Sequence, residues 1–381
     1  MIYLDNSATT RPEESVIASF KQVSEKYYGN PSSIHQLGGQ VETLQAKART
    51  QAAQLLNIEA DEVVFTSGGT ESNNLAIKGI ALQHQNRGKH IITTEIEHAA
   101  VYDTCKSLEQ LGFHVTYLPV NEAGVVQIKD VQSAMTDETI LVSVMHVNNE
   151  AGSIQPIEEI GAIVKQYPKA YFHVDAVQSL GKLPIHIKAA HIDLCSFSGH
   201  KINGLKGTGM LYVKKGTSLF PLFHGGGQEN MLRSGTENVA GNVSFVRALR
   251  LIIQKENERP DHFKKLMSAL RESLDKIEGV FINSPEQAAA HIVNVSVVGL
   301  KPEVVIHALY ERGIVLSTQS ACSSKDLDES RVLAAMHLPR ERTISGLRIS
   351  LGYHNTMEEI ETFVDIFKNE VTQLRKIMRD I

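Results

Sequence analysis

At 381 residues the chain is long enough for two domains, and its hydrophobic fraction of 42% and charged fraction of 21% are those of an ordinary soluble globular protein. A net charge of -5 excludes a general attraction to nucleic acid or anionic membranes, and no apolar run approaches the length that spans a bilayer. The N-terminus Met1-Ile2-Tyr3-Leu4-Asp5 lacks the basic and apolar regions of a secretion signal, so a cytoplasmic location is expected, with no membrane partner and no direct nucleic-acid binding.

In chain order, the first periodic segment carries Val41, Leu44, Ala48, Ala52 and Leu55 at three- and four-residue spacing, an amphipathic helix. Short β-branched runs follow at Val63–Phe65, His90–Ile92, His114–Tyr117, Ile140–Val144 and Tyr171–Val174, with longer segments of helical period between them. This alternation, over roughly the first two-thirds of the chain, predicts an α/β domain with a mostly parallel mixed sheet, whose ligands gather at the carboxyl ends of the strands. Around Gln254–Pro260 the sequence turns charged and breaks at proline. We therefore expect a large domain over 14–256, and a smaller α+β domain formed by 1–13 with 257–381. The latter holds strand-like runs at His291–Val297 and Leu347–Leu351, and a final helix beginning near Thr356, a good N-cap followed by acidic residues.

Three cysteines stand far apart, at 105, 195 and 322, with no CxxC pair, so neither a metal site nor a disulfide framework is expected. Cys195, in the apolar run Leu194-Cys195-Ser196-Phe197, reads as a buried structural thiol, and Cys105 has no evident chemistry. Cys322 differs, because Ser317-Thr318-Gln319-Ser320-Ala321-Cys322-Ser323-Ser324 reads as an exposed, mobile loop.

Three motifs carry chemistry. In Phe197-Ser198-Gly199-His200-Lys201 a lysine follows an apolar strand, where partial desolvation makes a Schiff-base nucleophile; a solvated loop lysine is the plain alternative. Thr66-Ser67-Gly68-Gly69-Thr70-Glu71 follows a strand and opens a helix, so its amides and hydroxyls suit a phosphate; a simple N-cap at Thr70 is the alternative. No lysine follows the glycines, so this is not a Walker motif. His173-Val174-Asp175-Ala176-Val177-Gln178 sets an aspartate after a buried strand, where it needs a cation such as a pyridinium nitrogen, unless it merely caps a helix.

In this order and spacing the motifs resemble those of fold-type I pyridoxal-phosphate (PLP) enzymes, and more narrowly the NifS/IscS-type cysteine desulfurases of the class V aminotransferase family. The resemblance spans nearly the whole chain. It includes Tyr3–Thr10, Gly29–His35, Thr94–His98, Met145–Glu150, Ser196–Lys201, Arg233–Thr236, Ser320–Cys322 and Arg348–Gly352. It implies that Lys201 bonds the cofactor, that Asp175 keeps the pyridine nitrogen protonated, and that Gln178 and Asn149 hydrogen-bond the ring's phenolic oxygen. It implies His98 stacked on the ring as a candidate for proton transfer, a helix-capping histidine being the alternative. Gly69, Thr70, Ser198 and His200 become the phosphate contacts, and Thr236 reaches the phosphate of a neighbouring subunit, so a homodimer is implied. Arg348 becomes the clamp for the carboxylate of L-cysteine, unless it is a structural ion pair, with Asn30 assisting.

Cys322 is then the nucleophile that takes sulfur from L-cysteine, leaves L-alanine and carries a persulfide to an acceptor protein. The span Cys322–Leu333 has the length of the family's long-loop members. Two departures stand out: Thr318-Gln319 replaces the Ser-Gly that often precedes Ser-Ala-Cys, and the chain ends soon after the final helix. The short end favours a dedicated acceptor such as a tRNA-thiolation enzyme over an iron–sulfur scaffold alone. The rival readings are a selenocysteine lyase, an aminotransferase, and a PLP-fold protein acting only as an interaction partner. The last is opposed by the intact Lys201, Asp175, His98 and Cys322.

Overall fold

The computed structural model describes residues 1–318 and 329–379. Twelve strands occur among them: β1 (Ile2–Tyr3), β2 (Val63–Thr66), β3 (His90–Thr94), β4 (His114–Leu118), β5 (Thr139–Met145), β6 (Tyr171–Asp175), β7 (Leu194–Ser198), β8 (Gly209–Val213), β9 (Val280–Ile282), β10 (Ile292–Val297), β11 (Ile314–Val315) and β12 (Gly346–Ser350). The helices are α1 (Glu14–Lys26), α2 (Gln36–Leu56), α3 (Gly69–His84), α4 (Ala99–Glu109), α5 (Ile128–Ala134), α6 (Ile157–Val164), α7 (Val239–Glu258), α8 (His262–Leu274), α9 (Pro302–Glu311), α10 (Arg331–Ala335), α11 (Arg340–Thr343) and α12 (Met357–Arg379). None of these helices is long and apolar enough to cross a membrane.

The main sheet has seven strands in the order β2-β8-β7-β6-β5-β3-β4. Every neighbouring pair is parallel except those made by β8, which runs against both β2 and β7. The fold is thus the α/β class with a mostly parallel mixed sheet. Periodicity missed β8, because Gly209-Met210-Leu211-Tyr212-Val213 merges with the glycine-rich stretch before it. β2, β3, β5, β7 and β8 are buried at every position, as expected of strands covered by helices on both faces. The carboxyl ends of β2, β3, β5, β6 and β7 therefore share one edge, and the turns that follow them build the site.

The second sheet is small and antiparallel, in the order β12-β10-β9, while β1 pairs in parallel with β11. The N-terminal segment stitches this part to the main sheet. Ser350 N donates to Leu4 O at 2.7 Å, Ser7 N to Ser350 Oγ at 2.8 Å, and Thr10 N to His200 O at 2.8 Å. Residues 4–10 are thereby laid across the carboxyl edge of the main sheet. At the start of α12, Glu359 N donates to Thr356 Oγ1 at 3.2 Å and Thr356 N to Glu359 Oε2 at 3.3 Å, a reciprocal cap that stops the helix where the sequence places its start.

Candidate active site

A cavity of about 270 Å³ opens at the carboxyl edge of the main sheet. Its walls include Gly69, Thr70, His98, Asn149, Asp175, Gln178, Ser198, His200, Lys201 and Arg348, gathered from the ends of five main-sheet strands and from the middle of β12. Ser7, Ala8, Asn73, Met145 and Val177 complete it, and sequence reasoning had singled out none of them for a role. Thr236 and Asn30 do not line the cavity. Both are exposed, and the Asn30 side chain accepts from Ser32 N at 2.9 Å. Cys322 lies outside the described residues.

Lys201 follows β7 in a single tight turn, and its Nζ donates to Ser7 O and, at 2.8 Å, to Ala8 O. The N-terminal crossing thus supplies the carbonyls that hold the ammonium at the cavity wall. Asp175 ends β6 and is 5% exposed. Its Oδ2 accepts from Asn73 Nδ2 at 2.7 Å and its Oδ1 from Val177 N at 3.0 Å, so two donors fix the carboxylate in the floor of the cavity.

Helix α3 begins at Gly69, with Gly68 as its N-cap at φ 150° and no side chain capping it. This corrects the alternative that Thr70 caps the helix: Thr70 sits inside the first turn, where its hydroxyl cannot serve that end. The first amides of α3 are left to an anion, and the helix dipole favours one. Close packing keeps the turn bare of side chains, since a Cβ at Gly209 would come within 2.5 Å of Gly68 Cα.

His98 is the N-cap of α4, its Nδ1 accepting from Ala100 N at 3.1 Å. It therefore caps a helix and lines the cavity at once. With Nδ1 accepting, the neutral ring carries its proton on Nε2. Burial holds its pKa below the ordinary histidine value, against the opposing pull of Asp175, while Lys201 and Arg331 press it further down. His200, whose Nδ1 lies 3.2 Å from Thr9 Oγ1, is pushed down to about 4 by burial and then by Lys201, and is neutral at physiological pH.

Arg348 is 1% exposed. Its Nη2 is 3.0 Å from Asp5 Oδ1, its Nη1 donates to Asn149 O at 3.0 Å, and its Nε is buried with no partner among the described residues. Arg348 thus holds an ion pair with Asp5 and lines the cavity at once. Gln178 donates through Nε2 to Ser7 O at 3.0 Å, leaving Oε1 as its unpartnered buried atom.

Glu97, beside His98, was not anticipated. It is 1% exposed, and its Oε1 accepts from Thr94 Oγ1 at 2.8 Å and Met145 N at 3.0 Å. Burial pushes its carboxyl from 4.5 up to about 8, so it is neutral through most of the physiological range. Between pH 4.5 and about 8 the folded state therefore holds a proton that the unfolded chain has lost, and stability falls as pH rises through that window. Glu97→Gln is expected to flatten this part of the profile. Urea midpoints of both proteins at about pH 5 and about pH 8 should show a smaller fall for the variant; equal falls would refute a neutral Glu97.

The cavity fits pyridoxal phosphate on its own chemistry. It offers an uncapped helix N-terminus for a dianion, a buried carboxylate for a pyridinium, and a lysine amine for an aldehyde. In addition Ser7 Oγ, Asn73 Oδ1, Gln178 Oε1 and Arg348 Nε are buried on its wall without partners among the described residues, and such atoms call for a bound group.

The model of the aminotransferase class-V family matches residues 2–363. The chain belongs to that family. A relative from Methanosarcina thermophila described as cysteine desulfurase IscS is 45% identical over 377 residues, covering 99% of this chain and 93% of its own. The solved structure of a NifS-like protein superposes with a TM-score of 0.92 at 38% identity, covering 97% of this chain and 99% of that one. A structure described as SspA in complex with cysteine superposes with a TM-score of 0.82 at 35% identity, covering 93% of this chain and 100% of that one. Within the family the chain thus falls among the NifS/IscS-type cysteine desulfurases, which depend on pyridoxal phosphate.

Proposed function

We propose that this chain is the enzyme that removes sulfur from L-cysteine, with Lys201 holding the cofactor and Cys322 receiving the sulfur. The convergence of Lys201, Asp175, His98 and the open end of α3 on one cavity carries the reading. When bound, pyridoxal phosphate supplies an aldehyde carbon for an amine and a ring that draws electron density from the substrate. The first amides of α3 with Thr70, Ser198 and His200 would hold its phosphate, Asp175 would pair with its nitrogen, and Asn149 and Gln178 would hydrogen-bond its oxygen.

The chain's own groups then orient the substrate. Arg348, on the cavity wall, is the donor for the carboxylate of L-cysteine, since only two of its five N–H groups are engaged, one at Nη2 by Asp5 and one at Nη1 by Asn149 O. His98 keeps a proton at Nε2 on the cavity wall, and its Nδ1 is anchored to the start of α4. The thiolate of Cys322 attacks the substrate sulfur. The carbon–sulfur bond of cysteine breaks, a sulfur–sulfur bond forms, and a proton replaces sulfur on carbon, so that L-cysteine and one thiol become L-alanine and one persulfide.

The same reading extends to the assembly. Thr236 is exposed and away from its own cavity, which suits a homodimer in which it serves the neighbour's phosphate. Residues 14–256 act as the cofactor-binding unit, and 1–13 with 257–381 as the unit that presents Cys322. The persulfide passes, in the cytoplasm, to an acceptor protein serving tRNA thiolation or iron–sulfur or thiocofactor assembly. The test is the visible spectrum of the purified protein before and after L-cysteine, with alanine assayed and the sulfur located by peptide mass. An absorbing cofactor that responds to cysteine, with persulfide on the Cys322 peptide, is expected. A protein that takes up no added pyridoxal phosphate overturns the reading.

A further inference from the structure

Arg331 opens α10, two residues after the described chain resumes at Glu329, and it lies across the turn that carries His98. Its Nη1 donates to Glu95 O and its Nη2 to Glu97 O at 2.5 Å, while the guanidinium carbon stands 4.0 Å from the centroid of the Tyr102 ring on α4. The Glu97 carbonyl belongs to the peptide bond that enters His98. A planar fork that reaches two carbonyls and stacks on an aromatic face is the geometry that arginine alone among cations provides. The residues before it are fastened as well. Ser330 donates to Glu150 Oε2 at 2.8 Å, next to the cavity residue Asn149, and Glu329 Oε1 accepts from Thr343 Oγ1 at 2.6 Å. On the other flank, Ser317 exchanges both backbone bonds with Arg348, at 2.7 and 3.4 Å.

We propose that Arg331 is a positioning residue, locking the Glu97–His98 peptide to the C-terminal flank of the stretch that carries Cys322. One guanidinium then sets the spacing between the His98 wall of the cavity and the foot of that stretch. The inference rests on the cysteine-desulfurase reading, but a purely structural role for Arg331 makes different predictions. A residue that only stabilises α10 lowers the melting temperature and leaves the chemistry of the folded enzyme alone. A positioning residue changes the sulfur-transfer step in enzyme that is folded and loaded.

The experiment uses full-length, cofactor-loaded Arg331→Ala and Arg331→Lys beside wild type. Steady-state alanine release is measured together with the rate of iodoacetamide labelling of Cys322, read by peptide mass. That rate is specific, because Cys105 and Cys195 are both 0% exposed. Arg331→Ala is expected to lower kcat roughly tenfold with KM for L-cysteine within about twofold and the cofactor spectrum unchanged, since small displacements of reacting groups act on the bound complex. Its Cys322 labelling rate should differ from wild type by more than about threefold, and Arg331→Lys, which keeps the charge without the fork, should recover only part of either change. Wild-type kcat and labelling in Arg331→Ala overturn the proposal whatever the melting temperature does, as does full recovery in Arg331→Lys. If Arg331→Ala does not fold, the lysine variant decides on the same two readouts. Wild-type enzyme that releases no alanine would sink the desulfurase reading instead, and the labelling rates would still judge the anchor.

Discussion

Lys201→Ala is expected to lower alanine release on the order of 10⁴-fold, about 5 kcal/mol of barrier, while leaving the protein folded. Lys201 is the lysine whose Nζ lies on the cavity wall, held by the carbonyls of Ser7 and Ala8. In the proposed mechanism, removing it deletes the amine that bonds the cofactor, but not the α3 amides, Asp175 or His200 that would hold it without a bond. Binding should therefore weaken rather than vanish, and the fraction removed by dialysis should rise. Borohydride reduction gives the second readout. In wild type it should fix the cofactor to the peptide containing Lys201, and in the variant to none. A competing amine exists nearby: Lys182 Nζ donates to Lys201 O at 3.2 Å, and burial lowers its pKa to about 8, which makes it a credible nucleophile. Label on Lys182 in the wild-type protein would move the cofactor assignment and reopen the roles built around Lys201.

Cys322→Ser should leave cofactor uptake and its spectrum as in wild type, yet lose cysteine-dependent alanine release by a factor on the order of 10³, because a serine hydroxyl is far less nucleophilic toward sulfur than a thiolate. No other thiol can stand in for it. Cys105 and Cys195 are fully buried, and burial pushes the Cys105 thiol up to about 12 and that of Cys195 well above its ordinary value. A chain with three cysteines thus has one thiol left for the transfer. Persulfide should be absent from the variant after incubation with L-cysteine, whereas wild type should carry it on the Cys322 peptide. Alanine release at the wild-type rate would show that sulfur leaves by another route, as in an enzyme that needs no protein thiol.

The two variants separate the halves of the site. In the proposed mechanism Lys201→Ala removes the cofactor's covalent hold and leaves the acceptor thiol; Cys322→Ser does the reverse.

Much of this molecule was legible in the chain. β-branched runs located five of the seven main-sheet strands and the apolar run before Lys201 a sixth, because strand patterns are local, and the turns after them already held Gly69, His98, Asn149, Asp175 and Lys201. The seventh, β8, escaped because it merges with the glycine-rich stretch before it, and the glycine that opens it answers to contact with the distant Gly68, not to a local pattern. The plain alternative, a cap at Thr70, fails for a related reason: threonine is a good capping residue, but the chain turns earlier, with Gly68 at φ 150° as the N-cap and Val177 crowding any Cβ at Gly69 to 2.8 Å.

Strand–helix alternation by itself determined the α/β class, and the resemblance of the motifs in chain order pointed to the site residues and the family. Tertiary structure decided which partner each side chain takes. It brought the Ser7 and Ala8 carbonyls to Lys201 from 194 and 193 residues away, set Asp5 on Arg348 across 343, and folded the guanidinium of Arg331 onto Glu95 and Glu97 across 236 and 234. It also buried Glu97 until its carboxyl keeps a proton. The physical reason is the same in each case. Periodicity and turn chemistry act over a few residues, whereas hydrogen-bond partners and desolvation depend on contacts between segments far apart in the chain.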